Sequence, residues 1–215
     1  MNINYEAYIH EIHGILHQIG LLNQINEMNQ TDEMKENTQL IQNCIDRSKK
    51  LKNDFQKYRQ FDLIIKKNLV NVNNIVREII NENAEYAKVL NIDIIPVFGK
   101  CRAYTDVILL KECMGIVLTN AIKYSNNNGS VIINTSEEYG HSIISIKDFG
   151  IGMTENEIKM LGKPFYRTNR IERDGSGMGI AILFHKAKLL DIKVEILSEL
   201  NKGTTVNLKI KHIMG

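Results

Sequence analysis

At 215 residues, with 43% hydrophobic and 24% charged residues and a net charge of +2, the chain has the composition of a soluble globular protein. That length holds one large or two small domains, and Lys and Arg spread along it exclude the basic footprint of a nucleic-acid binder. No apolar run reaches a membrane span, no signal peptide opens the chain, and Cys44, Cys101 and Cys113 lack paired or metal-ligand spacing, so a reducing, cytoplasmic setting is expected, for the protein itself or for the cytosolic part of something longer.

The first element is helical. From Tyr5 to about Met28 there is no proline, and Tyr5, Ile9, Ile12, Leu16, Ile19 and Leu22 recur at steps of three and four. A polar joint from Asn26 to Asp32 follows, with Thr31 as candidate N-cap. A second helix then carries Met34, Ile41, Ile45, Leu51, Phe55 and Tyr58. One antiparallel hairpin is too thin to hide both stripes. Two copies forming a four-helix bundle would hide them, which predicts a homodimer.

His10, His13 and His17 share a face of the first helix. They read as a polar flank, as a metal site without a carboxylate or cysteine partner, or as a phosphorylatable histidine. For the third reading Glu11 matters, because a carboxylate on one ring nitrogen makes the other a better nucleophile.

The heptad pattern stops between Phe61 and Val70, placing a boundary between domains 1–65 and 66–215. Leu69-Val70 reads as a short strand, and Asn73 as the cap of a helix through Tyr86. Ile92 to Phe98 is a strand near a sheet edge, since it contains Pro96. Arg102 to Tyr104 is extended, and Thr105 is the expected cap of a helix ending near Asn120. Val131–Thr135 and Ser142–Lys147 form a hairpin, and Thr154-Glu155-Asn156-Glu157 is a capping box. Residues 162–176 are polar and aperiodic, which suggests a lid. A helix from Gly179 to Leu190 and strands Lys193–Ser198 and Thr204–Lys211 complete an α+β chain: a helical hairpin, then a two-layer α/β sandwich with mostly antiparallel strands.

Chemistry concentrates after the second hairpin strand, in Asp148-Phe149-Gly150-Ile151-Gly152. Asp148 can accept from the exocyclic amine of adenine, and Gly150 and Gly152 let backbone come close to a ligand. Gly177 and Gly179, opening a helix, offer N–H groups to phosphate. Asn120 offers a neutral oxygen to Mg²⁺, which needs few protein ligands. Lys123, and Arg167 from the lid, can face phosphates.

These motifs resemble the catalytic core of sensor histidine kinases, whose ATP-binding domain has the Bergerat fold shared with gyrase B and MutL. Asn120-Ala121-Ile122-Lys123-Tyr124-Ser125 resembles the N box and the Asp148 loop the G1 box. Lys163-Pro164-Phe165-Tyr166-Arg167 is similar to the F box, Gly175-Ser176-Gly177-Met178-Gly179 to the G2 box, and Gly203-Thr204-Thr205 to the final glycine-threonine motif. His10-Glu11-Ile12-His13 resembles the H box. The resemblance implies that His10 accepts the γ-phosphoryl of ATP with Glu11 as base, then passes it to an aspartate of a response regulator receiver domain. It also implies that Asp148 and Thr204 read adenine, that Tyr124 packs beside it, and that Asn120 holds Mg²⁺. Three departures stand out. Ile116 replaces the polar residue one turn before Asn120, His13, Gly14 and Ile15 stand where the family has a basic residue and a Thr-Pro or Asn-Pro pair, and Gly14 has no side chain to position water for dephosphorylating the partner. A degenerate nucleotide-binding or phosphorelay module that binds a response regulator without autophosphorylating is the alternative.

Overall fold

The structure, a computed structural model, describes residues 12, 14–22, 33–59, 64–167 and 176–212. The chain divides into two compact units, Met1–Phe61 with Lys163–Gly179, and Asp62–Gly162 with Ile180–Gly215.

In the first unit, residues 14–22 form helix α1 and Glu33–Arg59 helix α2. Cys44 Sγ of α2 lies 3.8 Å from Gln18 Oε1 of α1, so the helices are neighbours. Ile15 and Leu51 are buried, whereas Leu16, Leu21 and Leu40 remain exposed. The expected cap Thr31 lies outside the described residues.

The second unit runs β1 (Asn68–Asn71), α3 (Val72–Val89), β2 (Asp93–Phe98), β3 (Arg102–Thr105), α4 (Val107–Tyr124), β4 (Ser130–Glu138), β5 (His141–Asp148), α5 (Glu155–Met160), α6 (Gly179–Leu190), β6 (Ile192–Glu199) and β7 (Gly203–Lys211), with the first residue of α6 at the junction with the other unit. Five strands make one sheet in the order β2-β4-β5-β7-β6, and β1 pairs with β3 apart from it. Only the β2–β4 pair in the larger sheet is parallel. The mixed α/β class with a mostly antiparallel sheet agrees with the sequence expectation.

Alternation builds the core. Val131 and Ile133 of β4, Ile144 and Ile146 of β5, and Val206, Leu208 and Ile210 of β7 are buried, with Leu110, Met114, Val117 and Leu118 of α4 in the same cluster, and Thr135 of β4 is a buried polar residue on the same strand face. Each large aliphatic side chain so buried contributes about 1.5–3 kcal/mol.

Two helix caps differ from the sequence expectation. Asn71, not Asn73, caps α3, and its side chain accepts from the Asn73 N–H. Asp106, not Thr105, caps α4: its Oδ1 accepts from Ile108 and Leu109, and its Oδ2 from the Lys66 N–H. Thr105 is instead the last residue of β3, paired with Asn68. The capping box at Thr154 and Glu157 is present as expected. The β4–β5 hairpin is longer than expected and turns on Tyr139 (φ 49°) and Gly140 (φ 74°), a two-residue loop with both φ positive.

One consequence of register positions the site. Lys147 of β5 pairs with Thr205 of β7 in an antiparallel ladder, so the start of β7 lies beside the end of β5. Asp148 and Thr204 thereby become neighbours across 56 residues of sequence.

Candidate functional site

Asp148 ends a strand whose alternate residues Ser142, Ile144 and Ile146 face the core, so its carboxylate is carried toward the apolar side. It is 6% exposed. Oδ1 accepts the N–H of Gly150 at 2.9 Å and of Thr204 at 3.1 Å, while Oδ2 accepts no hydrogen bond among the described residues. Burial raises this carboxyl above the ordinary aspartate value, and the two N–H bonds pull against that. The result is a fixed acceptor with one oxygen committed to backbone and one left for a donor on a ligand.

The loop after Asp148 is stitched to both neighbours. On one side, the Ile151 N–H donates to Tyr124 O at 3.2 Å, and Asn126 Nδ2 donates to Phe149 O at 2.8 Å. On the other, the Asn201 N–H donates to Ile151 O at 2.7 Å and the Met153 N–H to Ser198 Oγ at 2.9 Å. A Cβ at Gly150 would collide with the carbonyl oxygen of Tyr124, and one at Gly152, where φ is +56°, with that of Glu199. These glycines make room for the chain's own backbone. Asn126 and Ser198 were not singled out from sequence. Ser198 is the next-to-last residue of β6, just before the Asn201–Gly203 turn, but no motif marks either residue.

Helix α4 ends here, with Ser125 N–H and Oγ both donating to Ala121 O. Asn120 is half-buried, and its carboxamide makes no hydrogen bond among the described residues. Lys123 Nζ lies 4.8 Å from the centroid of the Tyr124 ring. One turn before Asn120, Ile116 packs on the core; one turn earlier, Glu112 pairs with the buried Lys186. Among the described residues no cluster of His, Cys, Asp or Glu could hold a metal by itself. A single amide oxygen fits a cation carried in by phosphates, rather than a resident one.

The Lys163–Gly179 segment belongs to the other unit. Within it the Phe165 N–H donates to Gly177 O at 3.1 Å, Phe165 has φ +66°, and a Cβ on Gly177 would meet the Phe165 backbone at 2.7 Å. Arg167 is half-exposed and Met178 fully buried; the Met178 N–H donates to Ser176 Oγ, and α6 begins at Gly179. Gly175, His10, Glu11 and His13 lie outside the described residues, as does most of the expected lid, 162–176. His17 is exposed on α1.

Comparison with known proteins gives one family. Residues 105–213 match the histidine kinase-, DNA gyrase B- and HSP90-like ATPases. Sporulation kinase C of Bacillus subtilis is 35% identical over 104 residues, 48% of this chain and 24% of that protein. The autoinducer 2 sensor kinase/phosphatase LuxQ of Vibrio vulnificus is 30% identical over 172 residues, 73% of this chain and 20% of that protein. The chain thus spans about a quarter or less of the length of these curated relatives. Among solved structures, histidine kinase AdeS of Acinetobacter baumannii has a TM-score of 0.72 at 17% identity, with 97% of each chain covered. Histidine kinase ThkA, in complex with response regulator protein TrrA, has a TM-score of 0.75 at 18% identity, with 98% of this chain and 62% of that one covered.

Proposed function

Because the chain belongs to the family of histidine kinase-, DNA gyrase B- and HSP90-like ATPases, we propose that it is the kinase core of a two-component system. It binds ATP, transfers the γ-phosphoryl group to His10, and hands that group to an aspartate of a response regulator receiver domain. The observation that carries the reading is Asp148, a buried carboxylate with Oδ1 fixed by two backbone N–H groups and Oδ2 left to accept the amino group of adenine.

Tyr124 and Thr204 complete the base edge, and Lys123 serves the phosphates. Mg²⁺ on Asn120 would neutralise phosphate oxygens. Phe165, Arg167, Gly175, Gly177, Met178 and Gly179 are assigned lid and phosphate roles on their motifs alone. Glu11 acts as base for His10. Residues 1–65 are the dimerisation hairpin and 66–215 the catalytic domain. The exposed Leu16, Leu21 and Leu40 support a four-helix homodimer. No helix among the described residues is long and apolar enough to cross a membrane, in keeping with action in the cytosol.

A second reading, a nucleotide-binding module without kinase activity, has one observation in its favour: Ile116 faces the core and leaves Asn120 without a polar neighbour one turn earlier. Incubation with γ-labelled ATP and Mg²⁺ separates the two. The kinase labels itself, and Asp148→Asn loses both label and nucleotide affinity. Nucleotide binding without label in the wild type would select the module.

A further inference from the structure

Ser198 lies outside every motif used above, yet it touches three parts of the base corner. The Met153 N–H donates to its Oγ at 2.9 Å, Gly203 O lies 3.1 Å away, and Thr204 Oγ1 lies 2.8 Å away. The proton count of this cluster has one full solution. The Met153 N–H can only donate and the Gly203 carbonyl can only accept. Ser198 has a single proton, so making the Gly203 contact uses it. The shorter contact then needs the Thr204 hydroxyl to donate to Ser198. Thr204 is left with lone pairs only. In the other arrangement, with Ser198 donating to Thr204, the Gly203 contact goes unmade.

We propose that Ser198 is a positioning residue that fixes the Thr204 hydroxyl as an acceptor, and so helps the site favour 6-amino over 6-oxo purine nucleotides. This rests on the reading of Asp148 and Thr204 as the adenine edge. Thr204 also donates its backbone N–H to Asp148 Oδ1, so both acceptors belong to one rigid corner. An adenine amino group supplies donors to such a corner. A guanine or hypoxanthine carbonyl presents lone pairs to lone pairs, which a buried polar site rejects strongly. Without Ser198 the Thr204 hydroxyl can rotate and donate to that carbonyl.

The test is competition of ATP and GTP against a fluorescent ATP analogue, on the full chain. Ser198→Ala should lower the ATP-to-GTP preference about tenfold, mainly through tighter GTP binding, and Ser198→Thr, which keeps a hydroxyl, should restore it to within about twofold. In a Thr204→Val background, Ser198→Ala should change the preference no further. Equal weakening of both nucleotides by Ser198→Ala, with the ratio intact, would make Ser198 a structural clamp and overturn the assignment. Should Ser198→Ala not fold, Thr204→Val decides alone: an unchanged ATP-to-GTP ratio overturns the proposal. A folded wild type that binds neither nucleotide overturns the nucleotide reading itself, a different result from an intact ratio.

Discussion

The backbone N–H of Thr204 donates to Oδ1 of Asp148 at 3.1 Å, joining the first residues of β7 to the last residue of β5. That bond makes the acidic loop and the glycine-threonine turn one unit. It also holds a carboxylate where burial disfavours its charge.

Asp148 should therefore trade stability for binding. Its folded pKa is raised, so its contribution to stability is full below the ordinary aspartate value and is lost as pH rises through the folded one. Near neutral pH the ionised carboxylate is a net cost to the fold. Asp148→Asn keeps an oxygen for the Gly150 and Thr204 N–H groups and removes the buried charge. It should unfold at the same or a higher temperature at pH 7, while nucleotide affinity falls by about 1.5–3 kcal/mol, the scale of a charged hydrogen bond. A clear fall in melting temperature, with affinity unchanged, would reverse both expectations.

The start of α4 offers a paired test of capping. Asp106 satisfies two orphan N–H groups of the helix and that of Lys66. Asp106→Ala should cost about 1–2 kcal/mol in urea unfolding. Thr105 behaves oppositely, because its hydroxyl is buried with no hydrogen-bond partner among the described residues. Thr105→Val should be neutral or stabilising by about 1 kcal/mol, the cost of an unsatisfied buried polar group being removed. If Thr105 were the cap, the two results would exchange places.

A fragment from Ile64 to the C-terminus should be monomeric by light scattering and still bind ATP. The cut belongs before Lys66, whose N–H reaches Asp106, and before β1. A dimeric fragment would place the interface outside the helical hairpin.

Features encoded by neighbouring residues were legible in the sequence. The capping box at Thr154, the helix from Gly179 and the turn at Asn201 each need only a few adjacent side chains. So was the acidic glycine loop, because residue type and spacing alone mark it. The caps at Asn71 and Asp106 were displaced by one or two positions for a non-local reason. Asn73 gives its amide to Gly99 O and accepts from Thr135 Oγ1, and Thr105 is claimed by pairing with Asn68, 37 positions away in numbering (105 − 68). Ser198 and Asn126 were illegible because their partners Met153 and Phe149 are 45 and 23 residues distant. Only the sheet order brings them together.

The central claim, that this chain phosphorylates its own His10, is tested most directly by radiolabelling with γ-labelled ATP across His10, His13 and His17. The wild type should carry acid-labile, alkali-stable label, and His10→Gln should carry none. His13→Gln and His17→Gln, whose following residues Gly14 and Gln18 are not bases, should keep at least part of it. Glu11→Gln should slow labelling by about 10²–10⁴-fold, the scale of a general base, with ATP affinity unchanged. Label that persists in His10→Gln and vanishes in His13→Gln, or a wild type that binds ATP and never labels, would contradict the account.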